Sequence, residues 1–178
     1  MRHLRTRNQH GFSLIELLIV VAIILILAAI AVPNLLRSRM AANEASAAAS
    51  LRQMSTADAI YSSVYSIGYA GLLAHLGPVG GACATVGSNC ADLLDSTLSG
   101  VNPATATPIK SGYKFTYYSP SATPTVTSPN STFAAVAVPT AFNSTGVKGF
   151  CVDHERNIRE DGTGTQTTAT GTGCTGWP

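Results

Sequence analysis

Gly11-Phe12-Ser13-Leu14-Ile15-Glu16-Leu17 opens an apolar stretch that carries no further charge as far as Leu36. As a helix rising ~1.5 Å per residue, the uncharged residues 17–36 span roughly 30 Å, the thickness of a bilayer's hydrocarbon core. A membrane-crossing helix is the first expectation. Glu16 then requires a reason, because a carboxylate at the bilayer centre costs about 2.5–3.5 kcal/mol on insertion scales, and less near an end. Residues 1–11 form a short polar leader with Arg2, Arg5 and Arg7 and no acidic residue. Positive charge stays in the cytoplasm, so the chain beyond Leu36 is expected outside. An ordinary secretory signal would place a small-residue cleavage site after the apolar run, but Ala31-Val32-Pro33 leads directly into helix-like sequence.

The arginine-rich leader followed by Gly11-Phe12-Ser13-Leu14-Ile15-Glu16-Leu17-Leu18-Ile19-Val20-Val21-Ala22-Ile23 resembles the class III signal of type IV pilins and pseudopilins. The resemblance is strong over about the first forty residues and reaches the rest only in general layout. It implies that a prepilin peptidase cuts between Gly11 and Phe12, that Phe12 becomes an N-methylated first residue, and that Glu16 becomes the acidic fifth residue. Pro33 falls where many members interrupt the helix with a proline. The implied fold is α+β: a long N-terminal helix packed on a small four-stranded antiparallel head.

Physical chemistry supplies a reason for Glu16. Cutting before Phe12 creates an ammonium in apolar surroundings, and methylation leaves it charged. A neighbouring subunit shifted along the axis would bring that ammonium against Glu16, and the pair would set register because an unpaired buried charge is penalised. Phe12, Glu16 and Pro33 are thus the expected assembly residues.

Removing the leader leaves 167 residues, of which the helix takes about a third, so there is room for one small globular domain. The formal charge of +2 resides mostly in the leader; beyond it, eight Lys+Arg face nine Asp+Glu. Nucleic-acid binding needs a clustered basic patch, and Arg37, Arg39 and Arg52 do not make one.

Cys83, Cys90, Cys151 and Cys174 are an even set on the expected external side, where disulfides persist. Four cysteines permit three pairings. Sequence order favours Cys83–Cys90, closing a small loop, and Cys151–Cys174, pinning the C-terminal tail; the connectivity stays open at this point. Zinc would prefer C-x-x-C spacing, which is absent, so no metal is expected.

The expected organisation is a cleaved leader at 1–11, a membrane and filament-core helix at 12–36, and its amphipathic continuation at 37–67. The head follows at 68–178, comprising a connecting loop at 68–111, the sheet at 112–160 and a tail at 161–178. Pro33 is expected to kink or unwind the helix. In the continuation, Met54, Ala57, Ile60, Tyr61 and Val64 recur at three- and four-residue spacing and are expected to face the head, with Arg52, Ser55, Ser62 and Ser63 on other faces. Short helices are expected at 70–76 and 91–98, the second capped by Asn89. Strands are expected at 113–118, 133–138, 147–152 and 156–159. Between the first two, 119–131 is rich in Pro, Ser and Thr and suits an exposed loop. Asp153-His154-Glu155 reads as a hairpin turn rather than a catalytic cluster, since consecutive turn residues point apart. The tail from 162 is rich in Gly and Thr and is expected to be irregular. Asn130-Ser131-Thr132 and Asn143-Ser144-Thr145 have glycosylation spacing, a pattern that arises readily in such composition.

The residues offer no nucleophile with an adjacent base, no phosphate loop and no cofactor motif, so an anchored enzyme is disfavoured. By resemblance, the chain is a structural subunit, a major pilin rather than a tip subunit, of a homo-oligomeric type IV pilus. It would reside in the inner membrane and then in an extracellular filament, with an assembly platform and a cytoplasmic ATPase as partners. Adhesion, twitching motility and DNA uptake are the family's outputs, and the sequence does not choose among them. The alternative is a type II secretion pseudopilin. Major pseudopilins carry an acidic calcium-binding loop near the C-terminus, whereas residues 162–176 here contain no carboxylate, although Glu160 and Asp161 stand just before.

Overall fold

The computed structural model describes residues 12–78, 82–100, 107–164, 166–169 and 171–178. The expected cleavage residue Gly11, its leader, and Gly80-Gly81 lie outside them. Helix α1 runs Leu14–Tyr65. Its residues up to Ser38 form one compact unit, and Arg39–Pro178 form a second.

Within the first unit the helix is continuous across Pro33, so the locally unwound turn expected there is absent. Proline removes one backbone donor, but good helix formers flank it, Ala28, Ala29 and Ala31 before and Leu35, Leu36 and Arg37 after. Polar side chains also bond back along this stretch, Asn34 Nδ2 to the Ile30 carbonyl at 3.3 Å and Ser38 Oγ to that of Asn34 at 3.0 Å.

In the second unit α1 lays one face on an antiparallel sheet of β1 Ile109–Lys110, β2 Tyr113–Tyr118, β3 Ala134–Pro139, β4 Gly149–Asp153 and β5 Ile158–Asp161, in that spatial order. The sheet has five strands, not four. β1 is only two residues long and pairs back on β2 through Ser111-Gly112, both with positive φ, a two-residue hairpin loop whose twist matches the strands. Gly112 was expected to mark the sheet's start and is instead the second residue of that turn.

Strand alternation divides the sheet cleanly. Tyr113, Phe115, Ala135, Ala137, Phe150 and Val152 join Leu51, Met54 and Tyr61 of α1 in the main core. On the opposite face Val136 and Cys151 pack with Cys174 and Trp177 of the tail. The unbroken apolar run of β3 is thereby explained, because a central strand covered on both sides has no polar face.

The face of α1 differs from the expected stripe. Met54, Ala57 and Tyr61 are buried, but Ile60 is 44 % and Val64 63 % exposed. The seam runs instead through Ala47, Leu51, Met54, Asp58 and Tyr61, with Ser50 and Ser55 also buried. Asp58 occupies a position that an apolar count passes over. The helix ends at Ser66, which adopts φ 55°, before Gly68.

Among its described residues the connecting segment contains a 3₁₀ turn, Leu73–Leu76, and a one-turn α2, Ser96–Ser99. Asp95, not Asn89, caps α2, accepting from the Thr97 and Leu98 amides at 2.9 and 3.0 Å. Both expected short helices are therefore shorter and start later. Cys83 is bonded to Cys90 and Cys151 to Cys174, with Cα–Cα distances of 5.7 and 5.8 Å.

Candidate assembly surface and its anchorage

The large apolar side chains from Phe12 to Leu36 are 45–80 % exposed, with none of the most apolar eighteen-residue window buried. Among the described residues α1 is the only helix long and apolar enough to cross a membrane. A surface of this kind is unstable in water, since each fully buried Leu or Ile gains about 1.5–3 kcal/mol. It can be covered by lipid or by other apolar helices.

At its start, the Glu16 carboxylate accepts the Ser13 backbone amide at 2.9 Å. Ser13 precedes the first helical residue, so Glu16 stands three residues into the helix and satisfies an otherwise orphaned donor, the return half of a capping box. The Ser-x-x-Glu spacing ahead of an apolar run was readable in the sequence, and the register argument had overlooked it. Phe12, 80 % exposed, lies just outside the helix. The structure places Phe12 and Glu16 at one end of this surface and Pro33 near the other. Gly11 lies outside the described residues.

The head-facing half of α1 is fixed by two carboxylates that lie fourteen residues, about 21 Å, apart along the helix. At one end Glu44 Oε1 accepts the Val147 and Lys148 amides at 2.9 and 3.2 Å, while Asn43 Nδ2 donates to the Thr145 carbonyl at 2.9 Å. Together they hold the β3–β4 connection against the helix. At the other end the fully buried Asp58 accepts the Ala70 amide at 2.8 Å and the Tyr117 hydroxyl. Burial raises the Asp58 carboxyl from 3.8 to about 7, against the lowering effect of those two bonds. Burial likewise raises the Tyr61 phenol to about 12 and pushes the Tyr117 phenol well up. Neither carboxylate was among the candidate residues read from the sequence, because single acidic residues in a helix look like solvated ones.

The far side of the sheet is closed by the tail. Asp153 accepts the Cys174 amide at 3.1 Å and, within its own turn, that of Glu155 at 3.1 Å. Asp161 accepts the Thr163 and Gln166 amides at 2.9 and 2.8 Å. Trp177 is buried and its indole donates to the Thr168 carbonyl at 3.3 Å. The carboxylates at the end of the sheet are thus occupied by tail backbone. Asp153-His154-Glu155 forms the turn, with the Arg156 amide closing on the Asp153 carbonyl at 2.8 Å.

Loop 119–131 is exposed for most of its length, yet Asn130 is buried, donating to the Ser121 carbonyl at 2.8 Å and accepting the Ser121 amide at 3.0 Å. It is a structural clamp and not an accessible acceptor for a glycan. Asn143 is exposed in a turn, with φ 60°.

An open groove of about 370 Å³ lies between Arg52, Thr56 and Ile60 of α1 and Leu93, Leu94 and Asp95. Its lining contains no histidine, cysteine or carboxylate pair to support catalysis.

Residues 6–32 match the prokaryotic N-terminal methylation motif, and residues 127–176 match a protein family of unknown function, DUF2950. The chain is similar to the type IV wide pilus major component PilA4 of Thermus thermophilus, with 66 % identity over 38 residues. That alignment takes in 21 % of this chain and 29 % of PilA4, so the chain spans under a third of the curated relative it matches. No solved structure matches the chain.

Proposed function

We propose that this chain, whose N-terminal segment is that of a type IV pilin, is a structural subunit, and the bulk one, of a pilus filament. The supporting observation is the exposure of the large apolar side chains between Phe12 and Leu36 all round the helix. Lipid would cover them before assembly, and neighbouring copies of the same helix afterwards. Filament formation then replaces one apolar environment by another, so specificity must come from packing and from the few polar groups present. Glu16 is the acidic group of this segment. After cleavage between Gly11 and Phe12, the methylated ammonium of a neighbouring Phe12 competes with the subunit's own Ser13 amide for that carboxylate, and the charged partner prevails in low dielectric.

On this reading a prepilin peptidase processes the chain at the inner membrane. An assembly platform and a cytoplasmic ATPase then drive polymerisation, and the head is displayed outside the cell. The head performs no chemistry in this role. The test is the intact mass of the protein in filaments sheared from cells, with its N-terminal peptide. A chain starting at N-methyl-Phe12 in the sheared fraction supports the proposal. A processed, methylated chain confined to the envelope moves it to a secretion pseudopilin, and an uncut chain overturns both. Glu16→Ala should abolish assembly while leaving the head folded; normal filaments from that variant would end the register argument.

A further inference from the structure

Among the described residues Asp58 has no counter-ion. Asp58 and its partner Tyr117 are faced by Tyr61 of α1, with Tyr65 beside it, by Tyr69 beyond the helix end and by the Ala70 backbone, whose carbonyl the Asn130 amide side chain approaches. Every titratable neighbour among these is a phenol, which carries no positive charge in either protonation state. An ionised Asp58 would therefore sit in the core with nothing positive beside it.

The Tyr117 hydroxyl lies in hydrogen-bond contact with Asp58 Oδ2 and also with the Ala70 carbonyl at 3.1 Å. A phenol has one proton to donate. If Asp58 is ionised, both contacts are acceptors competing for that proton, and the Ala70 carbonyl keeps only the long 3.4 Å approach of Asn130 Nδ2. If Asp58 carries a proton on Oδ2, every contact is satisfied. Asp58 donates to the Tyr117 oxygen, Tyr117 donates to the Ala70 carbonyl, and the Ala70 amide donates to Asp58 Oδ1 at 2.8 Å. A closed ring then joins α1, β2 and the chain just beyond the helix.

The geometry points to a proton-dependent clasp in the head, in which neutral Asp58 locks helix α1, strand β2 and Ala70 together, and loss of its proton loosens that junction. The consequence reaches the exposed loop, because Asn130 pairs its backbone with Ile67 and Tyr69 and Ser119 Oγ donates to the Gly71 carbonyl. The position of loop 119–131 thus depends on the segment that the clasp fixes.

Burial raises the carboxyl to about 7 in the folded chain from 3.8 when free. Between those values the folded state binds the extra proton, so this group's contribution to stability is fully present only below 3.8. It falls as pH rises through the interval and is lost above about 7.

The experiment follows the carboxyl-carbon NMR shift of Asp58 through a pH titration of the full chain in detergent. The proposal expects a protonated signal at pH 6 and deprotonation near neutrality; titration in the ordinary aspartate range overturns it. Tyr117→Phe takes away the oxygen that accepts the proton of neutral Asp58, so the midpoint should fall, and an unchanged or higher midpoint overturns the ring. In thermal or denaturant unfolding, the wild-type unfolding constant should rise relative to Asp58→Asn by about tenfold per pH unit between about pH 4 and 7. Parallel pH profiles for the two proteins would overturn the linkage. Should Asp58→Asn not fold, the wild-type and Tyr117→Phe titrations decide alone.

Discussion

The two halves of α1 are one helix by backbone and two by the source of their burial. From Phe12 up to Ser38 every large apolar side chain is exposed. From Arg39 onward a seam through Ala47, Leu51, Met54 and Tyr61 is closed by the chain's own sheet. The second half takes its stability from intramolecular packing, and the first must take it from lipid or from other copies. Propensity alone does not separate them, because both halves are rich in good helix formers.

Substitutions can test that division. The largest effect should come from Leu51→Ala, a fully buried residue of the seam, which should lower the stability of the head by about 2–5 kcal/mol in denaturant unfolding. Breaking Cys151–Cys174, which closes the longer loop and pins the tail, should cost about 3 kcal/mol, and breaking Cys83–Cys90 about 1 kcal/mol less. An equal loss from both would show that the tail contributes little. Glu44→Ala leaves the Val147 and Lys148 amides without their acceptor and should cost about 1–3 kcal/mol in the same measurement. Leu25→Ala, in the other half, should move the head's unfolding by under about 0.5 kcal/mol while lowering filament yield. If Leu25→Ala destabilised the head as strongly as Leu51→Ala, the separation between the halves would fail.

What could be read from the sequence follows the same line. Residues 12–36 were legible as a helix because twenty uncharged residues, nearly all apolar, after a single carboxylate leave few physical readings. Strands β2 to β5 were legible because their aromatic and β-branched residues alternate or cluster between clear turn signals. The seam of α1 was misjudged where polarity and burial part company. Ile60 and Val64 are apolar and exposed, whereas Ser50, Ser55 and Asp58 are polar and buried. Only the sheet opposite decides which face a helix buries, and the helix pattern does not contain the sheet. β1 was missed for a related reason, since a two-residue strand has no periodicity and exists through its partner. At the site itself, Glu16 was read only as a partner for a neighbouring subunit, whereas the Ser13 amide it accepts gives it a local role that its Ser-x-x-Glu spacing already signalled.

Loop 119–131 keeps its anchoring and its display apart. Asn130 and Ser119 fasten the base, while Thr125 and Ser128 exchange both backbone hydrogen bonds at 3.1 Å, closing the tip on itself with Val126 72 % exposed. Residues between those two bonds take no part in holding the head together. They can be exchanged for a cysteine to carry a dye, or lengthened by a short epitope, with the rest of the fold left as it is, and each copy in a polymer would then carry one such label at a defined place.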